Sequence, residues 1–178
     1  MPKIKQNKII HMSTRCQIGI YPKKETDIKE YEVLLYRHSD GYPSGVLPDI
    51  MPFLENFKKT RGIDDTEYAG ARLMQYMTNL CDKNEIEWAE ERMKRNGNNT
   101  QSTINDAKQI KELKEFGSTT GYGISKEFHG DIEFFYKINP ETIQVYTTNI
   151  WNGLDGADTE IKLLAEMPIE GYKENDIY

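Results

Sequence analysis

Apolar and polar positions alternate with a period of two at both ends of the chain and recur every three to four residues between them, so strands are expected to flank a helical middle. Cys16, Ile18 and Ile20 interleave with Arg15, Gln17, Gly19 and Tyr21, which predicts a strand over 13–21 with one covered face, ended by Pro22. A charged connection over 23–29 leads to a second strand over 31–38. There the unbroken run Val33-Leu34-Leu35-Tyr36 predicts burial on both faces and a central position. These two strands are expected to pair antiparallel.

The period then changes. After a turn rich in Gly41, Pro43 and Gly45, the residues Val46, Leu47, Ile50, Met51, Phe53, Leu54 and Phe57 predict an amphipathic helix over 48–60, with Pro52 delaying its regular part. Gly62 ends it. Asp64-Asp65-Thr66-Glu67 has the acidic character of a new N-terminus, and Leu73, Tyr76, Met77 and Leu80 form the stripe of a second helix to about Cys81. A further start is read at Asn84-Glu85-Ile86-Glu87, opening a thin-faced surface helix to Arg95. The polar run 96–103 is expected to be a mobile loop, and 104–116 a short charged helix stopped by Gly117.

Strands return at 122–124, 131–138 and 142–148, the last two joined as a hairpin by Asn139-Pro140-Glu141. The segment 151–158 reads as loop, and 159–166 fits either a short helix or an edge strand. The ends, 1–12 and 167–178, are expected to be a flexible segment and an irregular tail. Together these elements predict one α+β domain over 1–178: an antiparallel sheet of about four to six strands built from both chain ends, with a helical insertion over 48–117 on one face. That arrangement sets the first strand pair beside the last hairpin.

Composition narrows the functional classes. Hydrophobic residues make up 37% and charged residues 29% of the 178, with 11 Tyr and 6 Phe, enough apolar material for a real core. A formal net charge of −6 argues against gripping long nucleic acid through bulk phosphate neutralisation, yet leaves room for a small phosphorylated ligand held by a few arginines. Cys16 and Cys81 lie far apart in apolar patterns and read as two buried free thiols, which fits a reducing cytoplasm. The opening residues are basic but too poor in apolar residues for a signal peptide, and no window approaches a membrane span. A homodimer would suit a small aromatic-rich domain, although no segment stands out as its interface.

Candidate chemistry concentrates in Tyr36-Arg37-His38-Ser39-Asp40-Gly41-Tyr42-Pro43-Ser44-Gly45, which closes the second strand and opens the first helix. His38-Ser39-Asp40 at the end of one strand and His129-Gly130-Asp131 at the start of another each set an imidazole and a carboxylate two residues apart. If the strands neighbour each other, the catalytic candidates His38, Asp40, His129 and Asp131 could converge, either for acid/base work on a phosphodiester or as ligands of a divalent metal. The plainer reading has each Asp capping a turn and each His half-buried against backbone.

The arginines carry a second reading. Arg15, after Ser13 and Thr14, and Arg37, beside Ser39, are expected at adjacent strand ends. Two guanidiniums with those hydroxyls and the Tyr36 and Tyr42 phenols would suit a phosphate and a stacked base or ribose. The ligand-binding set so defined is Thr14, Arg15, Arg37, His38, Ser39, Asp40, Tyr42 and His129. The structural alternative pairs Arg37 with Asp40 or Asp131. No phosphate-binding loop, nucleophile elbow, Cys-x-x-Cys or His-Glu-x-x-His motif is present, and neither a cofactor nor a resident metal is expected.

Ser13-Thr14-Arg15, the block Tyr36-Arg37-His38-Ser39-Asp40-Gly41-Tyr42-Pro43 and Gly45-Val46-Leu47-Pro48 resemble a family of small, uncharacterised proteins from phages, bacteria and archaea. The resemblance covers the whole domain and implies a microbial or viral intracellular protein. By analogy with small phage proteins that counter host defence by binding or destroying nucleotide signals, it favours a nucleotide-type ligand. Three functions follow: a protein that sequesters such a ligand, a phosphodiesterase acting through His38 and His129, and an acidic module that masks a host protein. The first asks for the least coincidence.

Overall fold

The computed structural model describes residues 14–97, 100–148 and 161–173. In chain order the elements are β1 (Cys16–Ile20), β2 (Val33–Arg37), α1 (Pro43–Thr60), α2 (Thr66–Asn96), α3 (Gln101–Phe116), β3 (Tyr122–Ile124), β4 (Phe134–Ile138), β5 (Thr142–Thr147) and β6 (Lys162–Pro168). Six strands form one sheet in the order β3-β2-β1-β4-β5-β6, and the class is α+β. The β1–β2 and β4–β5 pairs are antiparallel, and β1 neighbours β4.

The sheet is not wholly antiparallel. β1 runs parallel to β4, with Cys16 opposite Phe134 and Ile20 opposite Ile138. The reason lies in the connection after β3. Because β3 is antiparallel to β2, it runs the same way as β4, so 125–133 must travel back along the sheet before β4 can start. It does so as irregular chain on the face away from the helices, seating Phe128 and Ile132 there.

Alternation decides which residues meet which layer. Cys16, Ile18, Ile20, Leu35, Tyr136, Ile138, Ile143 and Val145 point to one face and form the main core with Val46, Leu47, Ile50, Met51 and Leu54 of α1 and Leu73 and Met77 of α2. The opposite face carries a smaller aromatic cluster of Tyr21, Leu34, Ile132 and Phe135.

The helical insertion differs in detail from the pattern. α1 begins at Pro43 rather than 48, using that proline in its first turn, and runs through Pro48 and Pro52. Proline removes a hydrogen bond from a helix interior. Here the buried stripe of Val46, Leu47, Ile50, Met51, Leu54 and Phe57 outweighs that loss. The expected break near residues 82–84 is absent, and α2 is one continuous helix of 31 residues. Its second half is covered by α3, which buries Ala89 and Leu113 and pairs Arg92 with Asp106. α3 itself starts at Gln101, where Thr100 accepts a capping bond from the Thr103 amide at 3.1 Å.

The described part of the ambiguous segment 159–166 resolves from Lys162 onward as edge strand β6, which runs to Pro168 and so takes in the first two residues of the expected irregular tail. The expected flexible 1–12 segment, the 151–158 loop and the end of the tail lie outside the described residues. Among the described residues no helix is long and apolar enough to cross a membrane.

Candidate functional site

Successive residues of an extended chain point to opposite sides, so the end of β2 deals its functional groups alternately to the two faces of the sheet. Arg37 goes to the helix side with its partner across the ladder, Cys16. Tyr36 goes to the other, while His38, one residue past the end of β2, lines the cleft and also reaches Tyr36. Beyond them the chain turns sharply at Asp40, which adopts a left-handed φ of 53°. Gly41 then lies flat on the start of β1, its amide donating to the Thr14 carbonyl at 3.0 Å and its carbonyl accepting from Tyr136 Oη at 2.8 Å. A Cβ at this position would come within 2.8 Å of the backbone of Arg15 and of Cys16. Only glycine fits.

On the helix side the turn borders an open cleft of about 500 Å³, closed below by β2 and β3 and on its flank by α2 and α3. Arg37, His38, Ser39 and Asp40 line it, with Asp49 of α1, Glu85, Trp88 and Arg92 of α2, Gln109 of α3 and Tyr122 of β3. Arg37 is fixed in place: Nε donates to the Ser39 carbonyl at 2.8 Å, Nη1 donates to Asp49 Oδ2 at 2.7 Å, and the guanidinium lies 5.7 Å from the centre of the Tyr122 ring. Burial pushes the Tyr122 phenol up to about 12, against the opposing pull of Arg37. Arg92 is held in the same way, Nε and Nη2 donating to Asp106 Oδ1 at 3.1 and 2.9 Å, and Nη2 also to Gln109 Oε1 at 3.3 Å.

Their surroundings hold both thiols in the protonated form. Burial, helped by Glu85, pushes Cys81 at the cleft up to about 11, and burial alone carries Cys16 to about 12. Both are free, Cys16 buried and Cys81 half-buried.

On the outer face two imidazoles flank one phenol. Tyr36 Oη is 3.2 Å from Nδ1 of His38, and the Tyr36 ring centre is 4.8 Å from that of His129. His129 Nε2 lies 3.5 Å from Ser125 Oγ. Its backbone is clamped by a buried glutamine of β1: the His129 amide donates to Gln17 Oε1 at 2.9 Å, and Gln17 Nε2 donates to the Glu127 carbonyl at 3.0 Å. Beside them Asp131 forms an ion pair with Arg15.

His38 and His129 each lie against Tyr36, and the carboxylates of the two His-x-Asp segments diverge: Asp131 takes Arg15, and Asp40 takes the Tyr42 hydroxyl at 3.2 Å. Arg15 and Arg37 do not share a pocket. Their backbones are neighbours, but one residue of offset sends them to opposite faces, so a two-arginine site between the strand ends is corrected. The partner of Arg37 is Asp49, not Asp40 or Asp131. Of the ligand-binding set, Arg37, His38, Ser39 and Asp40 line the cleft, whereas Thr14, Arg15, Tyr42 and His129 are not among its lining residues.

Asp49, Trp88, Arg92, Gln109 and Tyr122 escaped the sequence reading. An indole among charged residues in α2 was the one available sign. Among the described residues no group of three or more His, Cys, Asp and Glu is placed to hold a metal ion. Comparison with protein-family models, with curated proteins and with solved structures yields no match for this chain.

Proposed function

We propose that the protein binds and sequesters a small phosphorylated, nucleotide-type ligand in the cleft between the end of β2 and the α2–α3 pair. The observation that carries this reading is the pairing, in one concave site, of two guanidiniums each steadied by its own carboxylate with two aromatic rings, Trp88 and Tyr122. Oriented arginines suit phosphate oxygens, and ring faces suit bases. Arg37, His38, Ser39 and Asp40 keep their proposed roles, and Arg92 takes the place assigned to Arg15. By analogy with phage proteins that take up defence signals, the ligand is a microbial nucleotide signal and the site of action the cytoplasm.

A phosphodiesterase is the second reading, favoured by one observation: His38 and His129 both contact Tyr36 on the outer face. One imidazole would take a proton from the attacking hydroxyl or water while the other gives one to the leaving oxygen. A mixed pool of nucleotides, cyclic dinucleotides and ADP-ribose derivatives, incubated with the protein and analysed by mass spectrometry in bound and free fractions, separates the two. Sequestration predicts one species recovered intact with the protein, with no fragments formed by the wild type or by the paired His38→Gln and His129→Gln variant. Fragments in the free fraction that vanish in that double variant would establish hydrolysis, and a pool neither bound nor altered would sink both.

A further inference from the structure

Resting on the binding function proposed above, we infer that the ligand of the cleft is a nucleoside monophosphate, its single phosphate held by Arg37 and Arg92 and its base stacked on Trp88.

The donors available are few and placed. Arg37 commits Nε and Nη1 to the protein, and Arg92 commits Nε and Nη2, so that among the described residues Nη2 of Arg37 and Nη1 of Arg92 have no protein acceptor. Asp49 and Asp106 hold the other side of each guanidinium, which sets its plane before any ligand arrives. A preset fork of this kind matches the tetrahedral oxygens of one phosphate.

The charge of the lining sets the limit. Asp40, Asp49 and Glu85 outnumber the two arginines, and no lysine is among the lining residues. One phosphate brings a charge of about −1.5 to −2 near neutral pH, and it is met through the open Nη2 of Arg37 and Nη1 of Arg92, on guanidiniums whose charge Asp49 and Asp106 already share. Every further phosphate in a chain adds negative charge beside three carboxylates with no further arginine or lysine in the lining to meet it. The same carboxylates are acceptors for hydroxyl groups, and Asp40 and Glu85 are suited to ribose.

Trp88 supplies the remaining contact. It is 65% exposed on the lining of the cleft and four residues before Arg92 on α2, hence on the same helix face. A solvent-facing indole within reach of a fixed arginine is a platform for a base whose phosphate that arginine holds.

Isothermal titration calorimetry with AMP, GMP, CMP, UMP, the matching triphosphates and inorganic phosphate tests this on the wild-type chain and on Trp88→Ala. The exposed position of Trp88 keeps the variant folded, and a melting curve checks it. At least one monophosphate is expected to bind at least about tenfold tighter than its triphosphate and than inorganic phosphate, and Trp88→Ala to weaken it about tenfold. A triphosphate that binds as well or better overturns the inference and leaves the binding function standing. Affinity unchanged in Trp88→Ala overturns the stacking. If no monophosphate binds, the inference falls, and the mixed-pool experiment decides separately whether the binding function falls with it.

Discussion

The helix side and the outer side of the sheet are closed by different means. On the helix side α1 and α2 meet the strands with Leu47, Ile50, Met51, Leu54, Leu73 and Met77, and the strands answer with Ile18, Ile20, Leu35, Ile138 and Val145. A helix satisfies its own backbone, so the sheet beneath it needs to offer only apolar surface. The outer side is covered by the loops 21–32 and 125–133, which lack the continuous internal ladder of a helix and satisfy only some of their own peptide groups, as where the Glu30 amide donates to the Asp27 carbonyl. There the strands send up long polar side chains instead. Gln17 of β1 bonds Glu127 and His129, and Lys137 Nζ of β4 donates to the Lys24 and Thr26 carbonyls at 2.8 and 2.5 Å; the loops add bonds of their own, the Tyr21 hydroxyl donating to the Ile28 carbonyl and the Tyr31 hydroxyl to the Lys126 carbonyl at 2.8 Å. What covers a sheet decides whether a buried polar residue beneath it is a fault or a fastening.

The comparison breaks first, and hardest, in the apolar half. Leu54→Ala removes a fully buried side chain from the middle of α1 and is expected to cost about 3 kcal/mol by urea unfolding, with all probes shifting together. Gln17→Leu preserves bulk on the other face but strands a carbonyl and an amide, an expected loss of about 2 kcal/mol. Its signature differs as well. Hydrogen exchange should accelerate over 125–131 while α1 and α2 keep their protection, and any chemistry that depends on His129 should fall while binding in the cleft persists. Uniform acceleration would mean that the loop and the helix layer are one cooperative unit, and the contrast between the faces would be lost.

Much of the helix side could be read in advance, because apolar spacing reports directly on a face packed by side chains. The strand pairings β1–β2 and β4–β5 followed from alternation and from the Asn139-Pro140-Glu141 turn. The outer face could not be read in the same way. Gln17, Gly19 and Lys137 carry the polar mark of a solvent-facing strand, and what buries them is irregular chain too charged to announce a covering layer. The parallel β1–β4 pair was hidden for the same reason, since its crossover is a loop and not a helix. At the candidate site the density of Tyr36 to Tyr42 was visible, but its division between two faces needed the register. Arg92 and Trp88 sit about fifty residues away on a helix whose charge pattern signals only solvent.

Lys137 gives the finest test of how the outer face is fastened. Its ammonium is drawn into the sheet beneath loop 21–32, 5.0 Å from the centre of the Tyr21 ring, and burial lowers its pKa below the ordinary 10.5 despite the pull of Asp27 and Glu25. Folding therefore weakens its hold on the proton. Between the lowered folded value and 10.5 the unfolded chain binds more protons than the native one, so stability gains from this group as pH rises through that window. Lys137→Met deletes the titration along with the two bonds to carbonyl oxygens. The variant is expected to be less stable than wild type near neutrality, because those carbonyls lose their donor, and the gap should widen modestly as pH rises from neutrality towards 10.5 and the wild type sheds the cost of burying charge. Urea midpoints measured on both proteins across that range decide it. A gap that narrows instead would mean that the charge of Lys137 stabilises the fold more than its burial costs, and that the outer face is held by ion pairing with Asp27 and Glu25 and not by bonds to the loop backbone.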